Sequence, residues 1–155
     1  MEENKMAKVE MKLANMGIQL LDPKPCNHPI LRTRQGGNLL FISGHGSLHT
    51  KGKVGADLSV EEGYEAAREC AIHCLEAIKQ KLGDLDKVKS FQRVFGMVNC
   101  TPDFVRHPDV MNGVSDLLIE AFGEKIGAHA RSAVGMNSLP NGIACEVEMI
   151  VEIEE

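Results

Sequence analysis

Apolar residues Met6, Val9, Leu13 and Met16 recur at intervals of three and four, which predicts a short amphipathic helix within residues 5 to 20. Pro23, Pro25 and Pro29 then hold the chain extended. Ile30 to Arg34 and Leu39-Leu40-Phe41-Ile42 flank the turn Gln35-Gly36-Gly37-Asn38 and predict two strands of a hairpin, the second apolar enough to lie centrally, with Ser43-Gly44-His45-Gly46 ending it. Ser59-Val60-Glu61-Glu62 sets a hydroxyl and a carboxylate three residues apart, where each can satisfy the other's free amide at a helix start. Ala67, Ala71, Cys74, Leu75, Ile78 and Leu82 follow on one stripe, and Gly83 suits the C-terminal end. Val88 to Val98 is short and rich in β-formers, so it predicts a largely buried strand. A second long helix is expected to start at Thr101-Pro102-Asp103 with Thr101 as cap, to be interrupted at His107-Pro108, and to resume through Val110, Met111, Val114, Leu117, Leu118 and Phe122 to Gly123. Two further strands flank Leu139-Pro140-Asn141-Gly142. The order β-β, α, β, α, β-β predicts an α/β fold in which two main helices lie on one face of a mixed sheet, with the N-terminal helix as an addition.

The last two strands read as a hairpin. With Leu139 facing Gly142, Val134 meets Val147, Met136 meets Cys145 and Ser132 meets Met149, a mostly apolar face with the period of two. The opposite face sets Gly135 against Glu146, Ala133 against Glu148 and Arg131 against Ile150. Arg131 and both glutamates thereby share one face, and large charged side chains opposite Gly and Ala leave a gap that suits a small polar ligand. The same pattern also fits a solvated sheet face, with acids at 146, 148, 152 and 154 keeping the strand soluble.

Composition narrows the classes. A chain of 155 residues with 43% hydrophobic content fits one domain over 1–155. A net charge of -5, no Trp and one Tyr argue against nucleic acid as partner. The sequence has no run approaching the roughly 18 apolar residues of a membrane span, and Met1-Glu2-Glu3-Asn4-Lys5 lacks the order of a secretion signal, so no membrane is expected and a cytoplasmic location is. Cysteines at 26, 70, 74, 100 and 145 are odd in number and lack CxxC spacing, which implies free thiols and no zinc site. His45 and His49 fall in a loop, and Cys70, His73 and Cys74 lie on the apolar stripe of a helix, where core packing is the simpler account. Dinucleotide, Walker and serine-hydrolase motifs are missing from the sequence.

Ala130-Arg131-Ser132, Leu139-Pro140 and Glu146-Val147-Glu148 at their spacing, with Ser43-Gly44 ending a strand and Asn112 early in the second long helix, resemble the Rid family of reactive-intermediate deaminases, also called YjgF-like proteins. The resemblance covers about residues 28 to 153. It implies a chorismate-mutase-like fold and a homotrimer with ligand sites in the clefts between subunits. It further implies hydrolysis of 2-iminoacids or their enamine tautomers, of the 2-aminoacrylate type, to a 2-oxoacid and ammonia, with no metal or organic cofactor. Position by position, Arg131 resembles the arginine that holds a substrate carboxylate and Glu146 the glutamate that orients the attacking water. Gly44 and Ala133 match positions offering backbone groups to the ligand, and Asn112 a polar neighbour.

The residue types suit that chemistry. A guanidinium clamps a carboxylate bidentately, and one carboxylate can position water and take its proton at an already electrophilic imine carbon. The hairpin register sets Glu148 nearer Arg131, whereas the family pattern assigns the water to Glu146. Two extra segments, the N-terminal helix and the longer Phe104-Val105-Arg106-His107-Pro108-Asp109 stretch, suggest a divergent branch, and two residues depart from the family pattern. The family's tyrosine over the substrate falls near Ile30, and its proline two before Arg131 is His129, readable as a substitute acid or base or as a surface histidine at a strand entrance. A carboxylate-binding trimer without turnover is therefore the second reading. Endoribonuclease activity, a label borne by some members, is a third that the acidic charge disfavours.

Overall fold

The computed structural model describes residues 6–155. Helix α1 (Lys8–Asn15) buries Leu13 and is capped from outside: the Lys8 and Val9 amides donate to the Asp86 carboxylate at 2.9 and 3.0 Å. It is shorter than the expected 5 to 20, with Met6 ahead of it and Gly17, at φ 78°, beyond its end; residue 5 lies outside the described residues. Strands β1 (Thr33–Gly36) and β2 (Leu39–Gly46) pair antiparallel around Gly37-Asn38, as the turn residues predict. β1 begins after Ile30 and Leu31, which stand 64% and 55% exposed, and β2 runs on to Gly46 through a bulge between Ile42 and His45.

Helix α2 (Val60–Leu82) has both halves of its capping box: Ser59 Oγ accepts from the Glu62 amide at 3.1 Å, and the Ser59 amide donates to Glu62 Oε2 at 2.7 Å. Gly83, at φ 89°, closes it. Strand β3 (Val88–Asn99) follows. Helix α3 (His107–Phe122) does not start at Thr101; residues 101–104 form a turn closed by Phe104 N–H to Thr101 O at 3.1 Å, and Pro108 occupies the first helical turn. The proline decides this, because in the first turn its missing N–H costs nothing, whereas in a helix begun at Thr101 it would break an interior hydrogen bond. A one-turn helix, α4 (Glu124–Gly127), leads to β4 (Ala130–Met136), and β5 (Cys145–Ile153) ends the fold.

The sheet order is β1-β2-β5-β3-β4, with β3 and β4 parallel and the other neighbours antiparallel. The expected hairpin of β4 with β5 is absent because β3 lies between them. Val94 of β3 stands opposite Arg131 on one side and Met149 on the other; Phe95 stands opposite Ser132 and Glu148. Strand β3, with Val94 and Val98 wholly buried, has the apolar content of a central strand, and residues 137–144 carry the chain across its end, where the Asn99 amide donates to Ala144 O at 2.9 Å. The true alignment of β4 with β5 is one residue away from the hairpin alignment, so every side chain of one strand changes face relative to the other.

Both long helices cover one side of the sheet. Val94, Val98, Cys145, Val147, Met149 and Val151 meet Cys70, Cys74 and Leu75 of α2 and Val114, Leu117 and Leu118 of α3 in a core where each is at most 2% exposed. The helices approach closely at Gly113, where a Cβ would lie 2.1 Å from the Tyr64 carbonyl oxygen. Among the described residues the other side carries no helix: Phe41 is 44% exposed, Glu148 is exposed, and Phe95, Met97, Val134 and Ile150 are half-buried. Among the described residues no helix is long and apolar enough to cross a membrane.

Candidate functional site

Arg131 stands on edge strand β4 and reaches back to α3. Its Nη1 donates to Asn112 Oδ1 and to Ser115 Oγ, each at 3.0 Å, and its Nη2 donates to the Pro108 carbonyl at 3.4 Å. Asn112 and Ser115 lie three residues apart on one helix face, so they meet the guanidinium together. His129 extends the chain of contacts. Its Nδ1 is 2.6 Å from the Gly127 carbonyl, so Nδ1 carries the proton and Nε2 accepts from Ser115 Oγ at 2.9 Å. Burial pulls the His129 imidazole below its ordinary value, against the Gly127 bond and aided by the Arg131 charge, which favours the neutral ring this arrangement requires. The sequence allows His129 as an acid or base or as a surface histidine; here its Nε2 meets Ser115, which in turn meets Arg131. Ser115 itself had no part in the sequence reading, although its spacing from Asn112 was a usable signal.

Three of the five guanidinium N–H groups are thus used, and no carboxylate lies within 4 Å of Arg131 among the described residues. Nε–H and one Nη2–H remain. The cation is held by neutral oxygens and keeps donors for an anion. Ala133, two residues on, faces the same way, half-buried beside Gly96.

Glu146 and Gly44 form a separate cluster. The Glu146 carboxylate lies over the β2 bulge, where a Cβ on Gly44 would come within 2.3 Å of Oε1. Glycine is therefore the residue type that admits the carboxylate there. Burial, and then the charge of Glu148, hold the Glu146 carboxyl above its usual range. Beside Gly44, His45 Nδ1 sits 2.7 Å from Ser43 O, and burial pulls its imidazole down. Glu148 borders a 260 Å³ depression with Arg34, Phe41, Ser43 and Ile150. Ile30 is exposed and borders a different hollow.

The sequence-based grouping of Arg131 with both glutamates on one face is overturned. Arg131 and Ala133 face the helices, with Val94, Gly96 and Met149; Glu146 and Glu148 face the open side, with Met97 and Phe95. Asn112 joins Arg131, and Gly44 joins Glu146. The candidate residues form two clusters on opposite faces of one sheet. No group of three or more His, Cys, Asp or Glu side chains suited to a metal ion occurs among the described residues.

Residues 17–153 match the family described as "YjgF/chorismate mutase-like, putative endoribonuclease". The chain belongs to the YjgF family. Protein TCP17 of Trypanosoma cruzi is 46% identical to this YjgF-family chain over 102 residues, 66% of the chain and 64% of TCP17, so the match spans under two thirds of that relative. The crystal structure of Atu1372, a protein of unknown function from Agrobacterium tumefaciens, superposes with a TM-score of 0.89 at 35% identity, covering 95% of this chain and 94% of that one. The E. coli YjgF structure has a TM-score of 0.56 at 22% identity over 82% of this chain and 90% of its own, a likeness of fold. The chorismate-mutase-like fold expected from the sequence is the one observed.

Proposed function

We propose that the chain hydrolyses small 2-iminoacids or their enamine tautomers to a 2-oxoacid and ammonia, in a site completed between subunits of a homotrimer. The observation that carries this reading is Arg131: a guanidinium pinned by Asn112 and Ser115, with two donors free and no acidic partner within 4 Å among the described residues. Such a fork suits a small carboxylate. Glu146 supplies the second group. Its carboxyl, held above the usual range beside Gly44, is suited to orient a water and take its proton as the water attacks the imine carbon. The amine then leaves as ammonia after proton return. Backbone groups at Gly44 and Ala133 complete the contacts, and no metal is invoked.

The opposite faces of Arg131 and Glu146 favour a shared site, because one sheet cannot turn both toward one small molecule, whereas two copies can oppose one chain's β4 edge to another's open face. The helix-free face with Phe41, Phe95, Met97, Val134 and Ile150 supports assembly. A carboxylate-binding trimer without turnover is the second reading, favoured by the exposed aliphatic Ile30 where the family's tyrosine falls. The test is ammonia release from freshly generated 2-iminoacids by the folded trimer. Acceleration over buffer that Arg131→Ala abolishes is the expected result. Calorimetric saturation by 2-oxoacids without ammonia would instead establish the binder, and neither turnover nor binding would remove both readings.

A further inference from the structure

A thiol and an imidazole meet at the far end of β4, beyond the Arg131 cluster. Cys100 Sγ, just past β3, lies 3.6 Å from His107 Nε2 in the first turn of α3. Gly135 lies four residues from Arg131 on the same face, about 13 Å along the strand. A Cβ there would stand 2.6 Å from His107 Nε2 and 2.8 Å from Cys100 Sγ, so glycine lets the pair sit against the strand. The pair borders a cavity of about 460 Å³ lined also by Lys53, Phe104 and Met136.

Lys53 is built into this cavity. Its Nζ donates to Asn99 Oδ1 at 2.8 Å and to Asn137 O at 2.6 Å, and Asn99, 4% exposed, is fixed in turn by its Nδ2 donating to Ile143 O at 3.1 Å. Two neutral acceptors leave one ammonium N–H, and no carboxylate lies within 4 Å of Nζ among the described residues. The other cysteines differ. Cys70, Cys74 and Cys145 are wholly buried, with sulfurs directed at backbone carbonyls, and Cys26 is exposed.

We propose that Cys100, His107 and Lys53 form a second site, in which Cys100 Sγ adds to a small electrophile bearing an anionic group, an activated alkene carrying a carboxylate being the class that fits. His107 Nε2 takes the thiol proton as Sγ bonds to the β-carbon. The π electron pair moves to the α-carbon, which receives that proton from His107, so the addition is balanced without oxidant or reductant. Lys53 Nζ holds the carboxylate. The thiol rests neutral because burial pushes it up, against the Lys53 charge and the Met136 amide. The smaller thiolate fraction at rest is offset by His107 Nε2, which lies 3.6 Å from Sγ and takes the proton as the attack proceeds. Phe104, edge-on to the His107 ring at 5.3 Å, supplies an apolar wall for the alkene.

The probes are iodoacetate and iodoacetamide, where Sγ–C forms and C–I breaks with the same proton transfer, read cysteine by cysteine by peptide mass spectrometry on the intact protein. Exposed Cys26 is the internal standard. Cys100 is expected to label about tenfold faster than Cys26, to prefer iodoacetate, and to slow about tenfold in His107→Gln. Lys53→Met should remove the iodoacetate preference while leaving iodoacetamide labelling. Gly135→Ala, whose Cβ would press on both His107 Nε2 and Cys100 Sγ and so displace the pair, should also slow Cys100, so the proposal stays testable if His107→Gln fails to fold. Cys100 labelling no faster than Cys26, or indifferent to both His107→Gln and Gly135→Ala, overturns the nucleophile; an unchanged iodoacetate preference in Lys53→Met overturns the anion site.

Discussion

Arg131 is informative for what it lacks as much as for what it contacts. Most surface arginines pair with acids at little net gain, whereas this one is oriented by an amide oxygen and a hydroxyl, which hold the fork without neutralising it. Arg131→Lys keeps the charge and loses the fork, so the affinity for a 2-oxoacid should weaken by about 1 to 3 kcal/mol, measured by titration calorimetry. Equal affinity would mean that the anion does not use the planar geometry. Glu146 makes a pH prediction. Its carboxyl is held above the unfolded value, so the fold disfavours the charged form. The stability contributed by the neutral carboxyl is fully present below the unfolded range of about 4.3 and is lost as pH rises through the folded value. Glu146→Gln never ionises, so it should match wild type in urea midpoint near pH 4 and exceed it at pH 7. In the proposed hydrolysis, with Glu146 as base, the same shift should move the acidic limb of the rate profile above the usual glutamate range.

At the scale of elements, the helices are set by contacts that the sequence partly displays. The Ser59 capping box and the stripe from Ala67 to Leu82 marked α2 in full, because both are local patterns. The sequence sets the start of α3 too early because two prolines compete for the first turn, and Pro108 prevails through the interior hydrogen bond it would otherwise break. Gly113 had no local signature. Its place is fixed by the α2 backbone, which no spacing within α3 announces, and Gly113→Ala should therefore destabilise the fold by about 1 to 3 kcal/mol through forced separation of the helices, measured by urea denaturation. An alanine is intrinsically the better helix former by about 1 kcal/mol, so a stabilised variant would show that the helices part at little cost. The strands were legible as strands, but their neighbours were not. β4 and β5 alternate as partners would, and alternation survives when β3 is inserted between them; only the alignment changes, by one residue, and with it the face of every side chain.

For the whole molecule that single residue decides what kind of site is possible. Type and spacing mark Arg131 and the pair Glu146 and Glu148 in the sequence, and the family resemblance selects Glu146, but the mutual position of Arg131 and Glu146 depends on sheet order, a property of non-local pairing. Since they turn to opposite faces, the proposed shared site has one copy presenting Arg131, with Asn112 and Ser115, and another presenting Glu146 over Gly44. This makes an unusually direct prediction. Arg131→Ala and Glu146→Gln trimers should each be inactive alone. When the two variants are mixed, unfolded and refolded together in equal amounts, chains assort at random around the ring. If each site draws its arginine and its glutamate from different chains, about a quarter of sites receive both functional residues. Activity near a quarter of wild type, recovered only after co-refolding and absent from a mixture of preformed trimers, is the expected outcome of an ammonia-release assay. A site assembled within one chain contains at least one defective residue in every copy, and recovers nothing at any mixing ratio. The two geometries therefore differ by the whole signal, and the experiment decides between them without a ligand-bound structure.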